Sequence, residues 1–312
     1  MPDQTLAIPS LNSFAFKPQD RRIRPTLGNI LSTALSLVVV AAAVYQARDL
    51  DLARIVALVP TSVIFWVLFT VRYLAGPASE WVIFHRLWGV GPSAFGALVR
   101  KLIYNELLIG YLGEAYFYGW ARRNLKFVTT PFGAVKDVAV LSAVAGNAAT
   151  LVFLAITYPF VKLLPLHDHA TAIGWSLAFV IGTSLGITLF RGSIFSLERG
   201  ELRMVFALHL TRIVITTVVS AALWHLVLPD VAVGWWLLLV TIRLLVSRLP
   251  FVPNKDVVFA GIAVLAVGSD VETAALMALM AGLILVTHVV VGMSFAFTDL
   301  FSKGKFHAAT AP

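Results

Sequence analysis

The chain has 312 residues, of which 59% are hydrophobic and 13% are charged, and its formal net charge is +8. A soluble domain is normally about 45–50% apolar and about 25% charged, so the composition excludes an ordinary soluble fold and predicts a protein that uses lipid as part of its solvent. The chain has no cysteine, which excludes disulfides, thiolate metal sites and cysteine nucleophiles. Its excess of lysine and arginine is typical of cytoplasmic loops that face anionic lipid, and we expect no nucleic-acid partner.

The sequence predicts three regions: a cytoplasmic arm over residues 1–26, a single transmembrane domain over 27–300, and a cytoplasmic tail over 301–312. The apolar run over 27–46 is long enough to span a bilayer and too long for a signal peptide, so we interpret it as an uncleaved signal-anchor. A second span is predicted over 55–75, ending at Gly76-Pro77. Residues 79–99 mix tryptophan with charged residues, which indicates an interfacial helix.

Residues 102–121 have the length of a span, but Glu106 and Glu114 lie within it and three glycines interrupt it. Basic residues precede it at Arg100-Lys101 and follow it at 122–126, so both ends are predicted to be cytoplasmic. This pattern predicts a re-entrant pair of half-helices that is broken near the glycines. The two glutamates would counter basic residues or relay protons; alternatively, Glu114 caps the second half-helix.

Further spans are predicted over 138–160, 171–190 and 204–227. His209 and Arg212 would share one face in the first turns of the last of these, which favours an interfacial position. The tract His167-Asp168-His169 has no further ligand nearby, so we expect no metal site there.

Residues 234–268 are apolar except for a few charged residues. Three cations in this segment, Arg243, Arg248 and Lys255, would together cost on the order of 8–10 kcal/mol at mid-membrane. Asp256, the two glutamates, water or an anionic ligand would have to offset that cost. Pro250 and Pro253 interrupt the helix, and a new helix N-terminus near Asn254–Asp256 would attract an anion. The alternative is a turn between two full crossings, in which the cations snorkel to the interface.

A last span over 273–297 precedes Lys303 and Lys305, so both termini are predicted to be cytoplasmic. The sequence as a whole therefore predicts an all-α, polytopic membrane helical bundle. It would have about six full spans plus two re-entrant helical hairpins in an inverted repeat, entered from opposite faces.

Two stretches resemble the transmembrane, flippase-like domain of bacterial lysylphosphatidylglycerol synthases, and the chain would be a stand-alone member of that family. The order and spacing of the segments match over about 27–300. The first comprises Glu80-Trp81 and Arg86-Leu87-Trp88-Gly89, followed by the 110–123 unit, where Ile-Gly-Tyr-Leu-Gly-Glu resembles a glycine-rich "PG-x-x-GE" turn. The second is Arg248-Leu-Pro-Phe-Val-Pro-Asn-Lys-Asp, where the family has "P-x-x-P-G-G-x-G-x-x-E". Asn254-Lys255 replaces the glycines and Phe259 lies near the expected glutamate, so this motif is degenerate.

The resemblance implies a lipid-translocating domain in which two re-entrant elements face each other. It places Glu114 and the turn at Asn254–Asp256 where lipid headgroups would pass. Since no soluble synthase domain follows residue 300, we expect this chain not to carry out aminoacyl transfer.

The leading hypothesis is a bacterial inner-membrane transporter or flippase that moves an anionic lipid, either a phospholipid or a polyprenyl-phosphate conjugate. Alternatives are a membrane enzyme that modifies lipid, or an accessory subunit of envelope assembly. We predict no catalytic residues, metal or cofactor, and a homodimer or partner envelope enzymes are possible assemblies. The predicted substrate-binding residues are Arg243, Arg248, Lys255, Asp256, Asn254, Glu106, Glu114 and Arg212.

Overall fold

A computed structural model describes residues 59–108, 112–125, 131–157, 182, 195–248, 255, 256, 259, 263 and 271–308. The spans predicted over 27–46 and 171–190, the His167-Asp168-His169 tract and Asn254 lie outside these residues. Every regular element in the described part is helical, as expected for an all-α fold.

Seven helices follow one another in the described residues. They are α1 (Val63–Trp88), α2 (Ser93–Leu107), α3 (Leu112–Asn124), α4 (Pro131–Thr157), α5 (Arg199–Val227), α6 (Val233–Ser247) and α7 (Val271–Ala308). Helix α5 packs against α1, α4 and α6, and α2 packs against α1, α3 and α7.

Three stretches within these helices are long and apolar enough to cross a membrane: Pro131–Thr157, Arg199–Val227 and Ala275–Asp299. Large apolar side chains on α1, α4, α5 and α7 point outward, while several polar and charged ones are buried. A protein in water would reverse this arrangement, because exposed apolar patches of this extent are rare on soluble monomers. The fold is therefore compatible with a membrane protein.

Helix α1 corrects two predicted elements. The sequence predicted that a span ends at Gly76-Pro77 and that a separate interfacial helix begins at 79. In the structure, α1 continues through Pro77 to Trp88. Proline removes one helical hydrogen bond, yet Pro77 is buried in the bundle, and packing against α5 and α2 keeps the helix continuous. The helix ends at Gly89, which has a φ of 62° and whose N–H donates to the His85 carbonyl at 2.8 Å.

The predicted break within 102–121 is confirmed. Helix α2 ends at Leu107 and α3 begins at Leu112, and the two pack side by side as a hairpin. Asn105 caps α3 from the neighbouring helix, because its Oδ1 accepts a hydrogen bond from the Gly113 N–H at 2.7 Å. Glu114 lies in the first turn of α3, but the capping interaction that was its alternative role belongs to Asn105.

Gly113 allows this close approach of α2 and α3. A Cβ at Gly113 would lie 2.2 Å from the Lys101 carbonyl oxygen and 2.7 Å from Asn105 Oδ1. Since a backbone atom cannot move aside cheaply, we expect Gly113→Ala to destabilise the protein by about 1–3 kcal/mol, measured by thermal unfolding in detergent. Gly119→Ala on the same helix is the matched control, because a Cβ there meets nothing within 4 Å. Equal melting temperatures for the two variants would contradict this packing.

Helix α5 begins earlier than the sequence predicted. Glu198 and Glu201 form a reciprocal capping box, which satisfies the first backbone N–H groups and starts the helix at Arg199 instead of 204. His209 and Arg212 therefore lie near the middle of a 29-residue candidate span, and not in its first turns. The structure therefore corrects their predicted place in the first turns of this helix.

Asp137 of α4 holds the segment before α5. Its Oδ2 accepts hydrogen bonds from the Ser196 N–H at 2.6 Å, the Leu197 N–H at 2.8 Å and the Ser196 hydroxyl at 2.9 Å. The residue has no exposed surface, so these bonds replace the solvent that the carboxylate loses. This contact positions the beginning of α5 against α4.

A layer of polar side chains lies partly between two apolar cores and partly within the first of them. The first core includes Phe65 and Phe69 of α1 and Ile213 of α5, and the second includes Ile83 of α1 and Val205 of α5. The residues between these positions on both helices include charged ones, and the corresponding part of α4 carries a serine. Because the layer crosses α4 and α5 near their midpoints, it lies where ionisable groups are most costly in a membrane.

Candidate functional site

Asp256 is the centre of one half of the polar layer. Its Oδ1 accepts hydrogen bonds from Arg72 Nη2 and Arg243 Nε, each at 2.9 Å. Arg72 also donates from Nε to the Ser220 hydroxyl at 2.9 Å. The side chains of Arg72, Asp256 and Arg243 are 7%, 17% and 22% exposed, so one largely buried carboxylate joins α1, α5 and α6 to the segment that follows α6.

The contacts of Asp256 show that the chain reverses after α6. Arg243 and Asp256 are 13 positions apart but in hydrogen-bond contact. Lys255 donates from Nζ to the carbonyl of Ser247 at 2.9 Å, at the C-terminal end of α6, where a cation is favoured. Lys255 and Asp256 thus lie back beside α6, as expected for the second predicted hairpin, and Asp256, one of the candidate partners that the sequence offered, offsets part of the charge of Arg243.

Arg248 lies at this reversal and faces α4. Its Nη2 and Nε donate to the Ser247 hydroxyl at 2.7 and 3.0 Å. The guanidinium rests against Gly146, where it occupies the space that a Cβ would need. The absence of a side chain at position 146 therefore lets this arginine lie within the bundle.

Glu106 joins the first hairpin to the Asp256 centre. It interacts electrostatically with Lys255, Arg243 and Arg72, and also with Asp256. Glu114 likewise interacts with Lys255. The carboxylates beside the break between α2 and α3 therefore face Lys255 and the cation of α6.

Lys101 is the centre of the other half of the layer. Its Nζ donates to both carboxylate oxygens of Glu80, at 2.7 and 2.8 Å, and lies 3.3 Å from Glu114 Oε1. The lysine side chain is only 5% exposed. The sequence predicted Arg100-Lys101 as a basic cluster at the cytoplasmic end of the 102–121 segment, but Lys101 lies inside the bundle, where two carboxylates from α1 and α3 stabilise it.

Arg212 and His209 of α5 complete this half. Arg212 Nη2 donates to the Ser142 hydroxyl of α4 at 3.1 Å, and its charge interacts with Glu80. His209 has no exposed surface and lies within electrostatic range of Arg212 and Lys101. The Val138 carbonyl lies beside the imidazole, but within the described residues neither ring nitrogen completes a hydrogen bond of normal geometry.

The layer carries more positive than negative charge. Among its described members, six side chains are cationic and four are carboxylates, which leaves an excess of two positive charges. The cations are Arg72, Lys101, Arg212, Arg243, Arg248 and Lys255, and the carboxylates are Glu80, Glu106, Glu114 and Asp256. An excess of buried positive charge favours an anion in or beside the layer.

Seven of the eight predicted site residues lie in this layer, and Asn254 falls outside the described residues. Sequence reasoning missed Arg72, Glu80 and Lys101. It also missed His288 of α7, whose Nδ1 lies 3.0 Å from the Tyr73 hydroxyl next to the Asp256 centre. Of the missed residues, Arg72 was the easiest to identify from the sequence, since it follows a long apolar run. Phe259, near the glutamate of the resembled motif, stacks on Trp224 with ring centroids 5.8 Å apart.

The layer offers no grouping of side chains that would hold a metal: the described residues contain no cluster of three or more histidine, aspartate or glutamate side chains with suitable geometry. A small cavity beside Asp256, lined also by Arg72, Arg243 and Met280, has room for about one water molecule. The chain matches no family model, no curated protein and no solved structure, so its resemblance to the lysylphosphatidylglycerol synthase membrane domain stays a prediction.

Proposed function

We propose that this protein is a transporter of the bacterial inner membrane that moves an anionic lipid between leaflets. The observation that carries the proposal is the excess of two positive charges in a polar layer that crosses the middle of two candidate spans. Buried arginines bind phosphate with two parallel hydrogen bonds, and they remain charged at any physiological pH. A lipid phosphate would therefore bring the negative charge that balances the described cations of the layer.

The helix lengths favour re-entrant hairpins as the elements that form the pathway. Helices α2, α3 and α6 contain 15, 13 and 15 residues, which corresponds to about 20–22 Å each. The hydrocarbon core of a bilayer is about 30 Å thick, so none of the three crosses it alone. In the proposed topology, about six full spans surround two such hairpins in an inverted repeat, and both termini are cytoplasmic.

The position of the hairpin ends supports the same proposed topology. Irregular backbone at membrane depth is tolerated where it lines a cavity or is buried in protein, and transporters use such breaks to bind substrate near the midplane. The break after Leu107 and the reversal after Arg248 bring Glu106 and Lys255 to the same layer. A phosphate that entered between the hairpins would reach the cations of the second and repel the glutamates of the first.

A vesicle assay tests the proposal. We expect purified protein to accelerate the movement of fluorescent phosphatidylglycerol between leaflets, followed by quenching of the outer leaflet. Arg248→Ala should slow this movement by about ten-fold or more, because a charge-assisted hydrogen bond contributes about 1.5–3 kcal/mol. Arg203→Ala, at an exposed position on α5, is the matched control and should leave the rate unchanged.

Two outcomes would overturn parts of this proposal. Equal rates for Arg248→Ala and the unaltered protein would remove Arg248 from the pathway. If the unaltered protein moves no phosphatidylglycerol and no polyprenyl phosphate, the transport proposal fails. A lipid-modifying enzyme or an accessory subunit of envelope assembly then becomes the better explanation of the layer.

A further inference from the structure

We propose that the half of the polar layer around Lys101 is a proton-binding site, and that a proton taken up by Glu114 is transported together with the anionic lipid. This inference rests on the proposed function and adds the coupling ion to it. Three features carry it: buried polar atoms without partners, a charge balance that differs from that of the Asp256 centre, and the position of Glu114 between the two centres.

Several buried polar atoms around Lys101 have no hydrogen-bond partner within the described residues. They are Glu114 Oε2 and the ring nitrogens of His209, which lie beside the Val138 carbonyl without a hydrogen bond of normal geometry. An unsatisfied buried polar atom costs about 1–3 kcal/mol, and ordered water normally satisfies such groups. Ordered water beside Lys101 would satisfy these groups, and it would donate, accept and exchange protons with them.

The charges around Lys101 balance one another. Lys101 and Arg212 face the carboxylates of Glu80 and Glu114, so an anionic headgroup gains no net attraction in this half. The surplus positive charge belongs to the other half, around Asp256 and Lys255. A proton is the ligand that suits a neutral cluster with an unsatisfied carboxylate oxygen and an unsatisfied imidazole.

Glu114 links the two halves. Its Oε1 lies 3.3 Å from Lys101, and its charge also acts on Lys255 of the second hairpin. When a proton from water converts this carboxylate to the acid, one negative charge is removed from the surroundings of Lys255. The attraction of the layer for a phosphate rises accordingly, and by reciprocity the bound phosphate favours the protonated acid.

In this proposal, His209 passes protons between water and Glu114, and it lies within electrostatic range of Lys101, the ion-pair partner of Glu114. One ring nitrogen accepts a proton while the other releases one, so the imidazole returns to its starting charge and no bond other than N–H and O–H changes. The charged groups that face Glu114 are Lys101 from α2, Glu80 from α1, Lys255 from the second hairpin and, through His209, Arg212 from α5. Release of the proton from Glu114 to the opposite side restores the pair with Lys101.

The first test measures lipid movement against a pH gradient. Vesicles of phosphatidylcholine with fluorescent phosphatidylglycerol contain a pH-sensitive dye. We expect acid on the starting side to accelerate lipid movement and the dye to report protons arriving with the lipid. Glu114→Gln and His209→Gln should lose the effect of the gradient, and Glu114→Asp should retain it. The controls Asp230→Asn and His225→Gln, both at exposed positions, should behave like the unaltered protein.

The second test measures binding alone and does not depend on transport. Addition of phosphatidylglycerol to the unbuffered protein in detergent should cause proton uptake, and the affinity should rise by about 5–150-fold on acidification, the usual range for coupled sites. Glu114→Gln should bind the lipid at every pH without proton uptake, which a misfolded variant cannot do.

The outcomes separate the two proposals. Lipid movement that is identical with and without a gradient overturns the proton site and leaves the transport function intact. Proton uptake that persists in Glu114→Gln overturns the assignment to Glu114. If lipid neither binds nor moves, the proposed function fails, and this inference fails with it.

Discussion

Replacing Asp256 with alanine is expected to destabilise the protein by about 3–5 kcal/mol, the usual cost of removing one partner from a buried ion pair. The reason is that Asp256 Oδ1 accepts hydrogen bonds from both Arg72 and Arg243, so its loss leaves two largely buried guanidinium groups facing each other. Thermal unfolding of the detergent-solubilised protein measures the effect. Lipid movement in vesicles should also fall, because the second hairpin loses its contact with α1.

Two further variants make this prediction specific. Asp230→Asn changes a carboxylate at the exposed turn between α5 and α6, and should leave the melting temperature unchanged. Arg243→Met combined with Asp256→Ala should cost less than the sum of the two single changes, because the first replacement removes one of the cations that the second leaves uncompensated. A strictly additive double variant would show that the two side chains do not interact as the structure indicates.

The contact between Arg243 and Asp256 was partly predictable from the sequence. Charges in an apolar segment must be offset by a partner, water or a ligand, and Asp256 was the nearest carboxylate in the same segment. The break between Glu106 and Glu114 was predictable for a similar reason, since glycines interrupt an otherwise span-like run. In both cases the evidence is local, because the residues that decide the structure are neighbours along the chain.

The role of Arg72 was not predictable, because its partners are remote. Ser220 lies 148 positions away in the sequence and Asp256 lies 184 positions away. An arginine after an apolar run is most often an interfacial residue that directs its charge toward the headgroups. Only the packing of α1 against α5 shows that this guanidinium is directed into the bundle.

Incorrectly predicted helix boundaries explain why Glu80 and Arg212 were misplaced in the sequence-based prediction. The sequence ended an element at Gly76-Pro77 because proline normally interrupts a helix, and this separated Glu80 from the span that carries it. The span was also predicted to begin at 204, because the prediction did not include the capping box formed by Glu198 and Glu201. The earlier start at Arg199 places Arg212 in the middle of α5, and not in its first turns, and with it half of the polar layer.

Replacing Lys101 with methionine is the second change with a large expected effect. It would leave Glu80 and Glu114 next to each other without the cation that separates them, in a site where the lysine is only 5% exposed. We expect a loss of about 3–5 kcal/mol in thermal unfolding, as for other broken buried pairs. Methionine retains most of the volume of lysine, so the effect reports charge and not a cavity.

The control for this change is Arg203→Met, since that side chain lies at an exposed position on α5 and exposed charges contribute about 0–1 kcal/mol. Acidification should restore part of the stability of Lys101→Met, because protonation of Glu80 or Glu114 removes the repulsion that the substitution creates. The unaltered protein should not gain stability in the same way, since Lys101 and Arg212 together balance the two carboxylates. A melting temperature of Lys101→Met that does not rise toward low pH would therefore mean that the two carboxylates do not share this site.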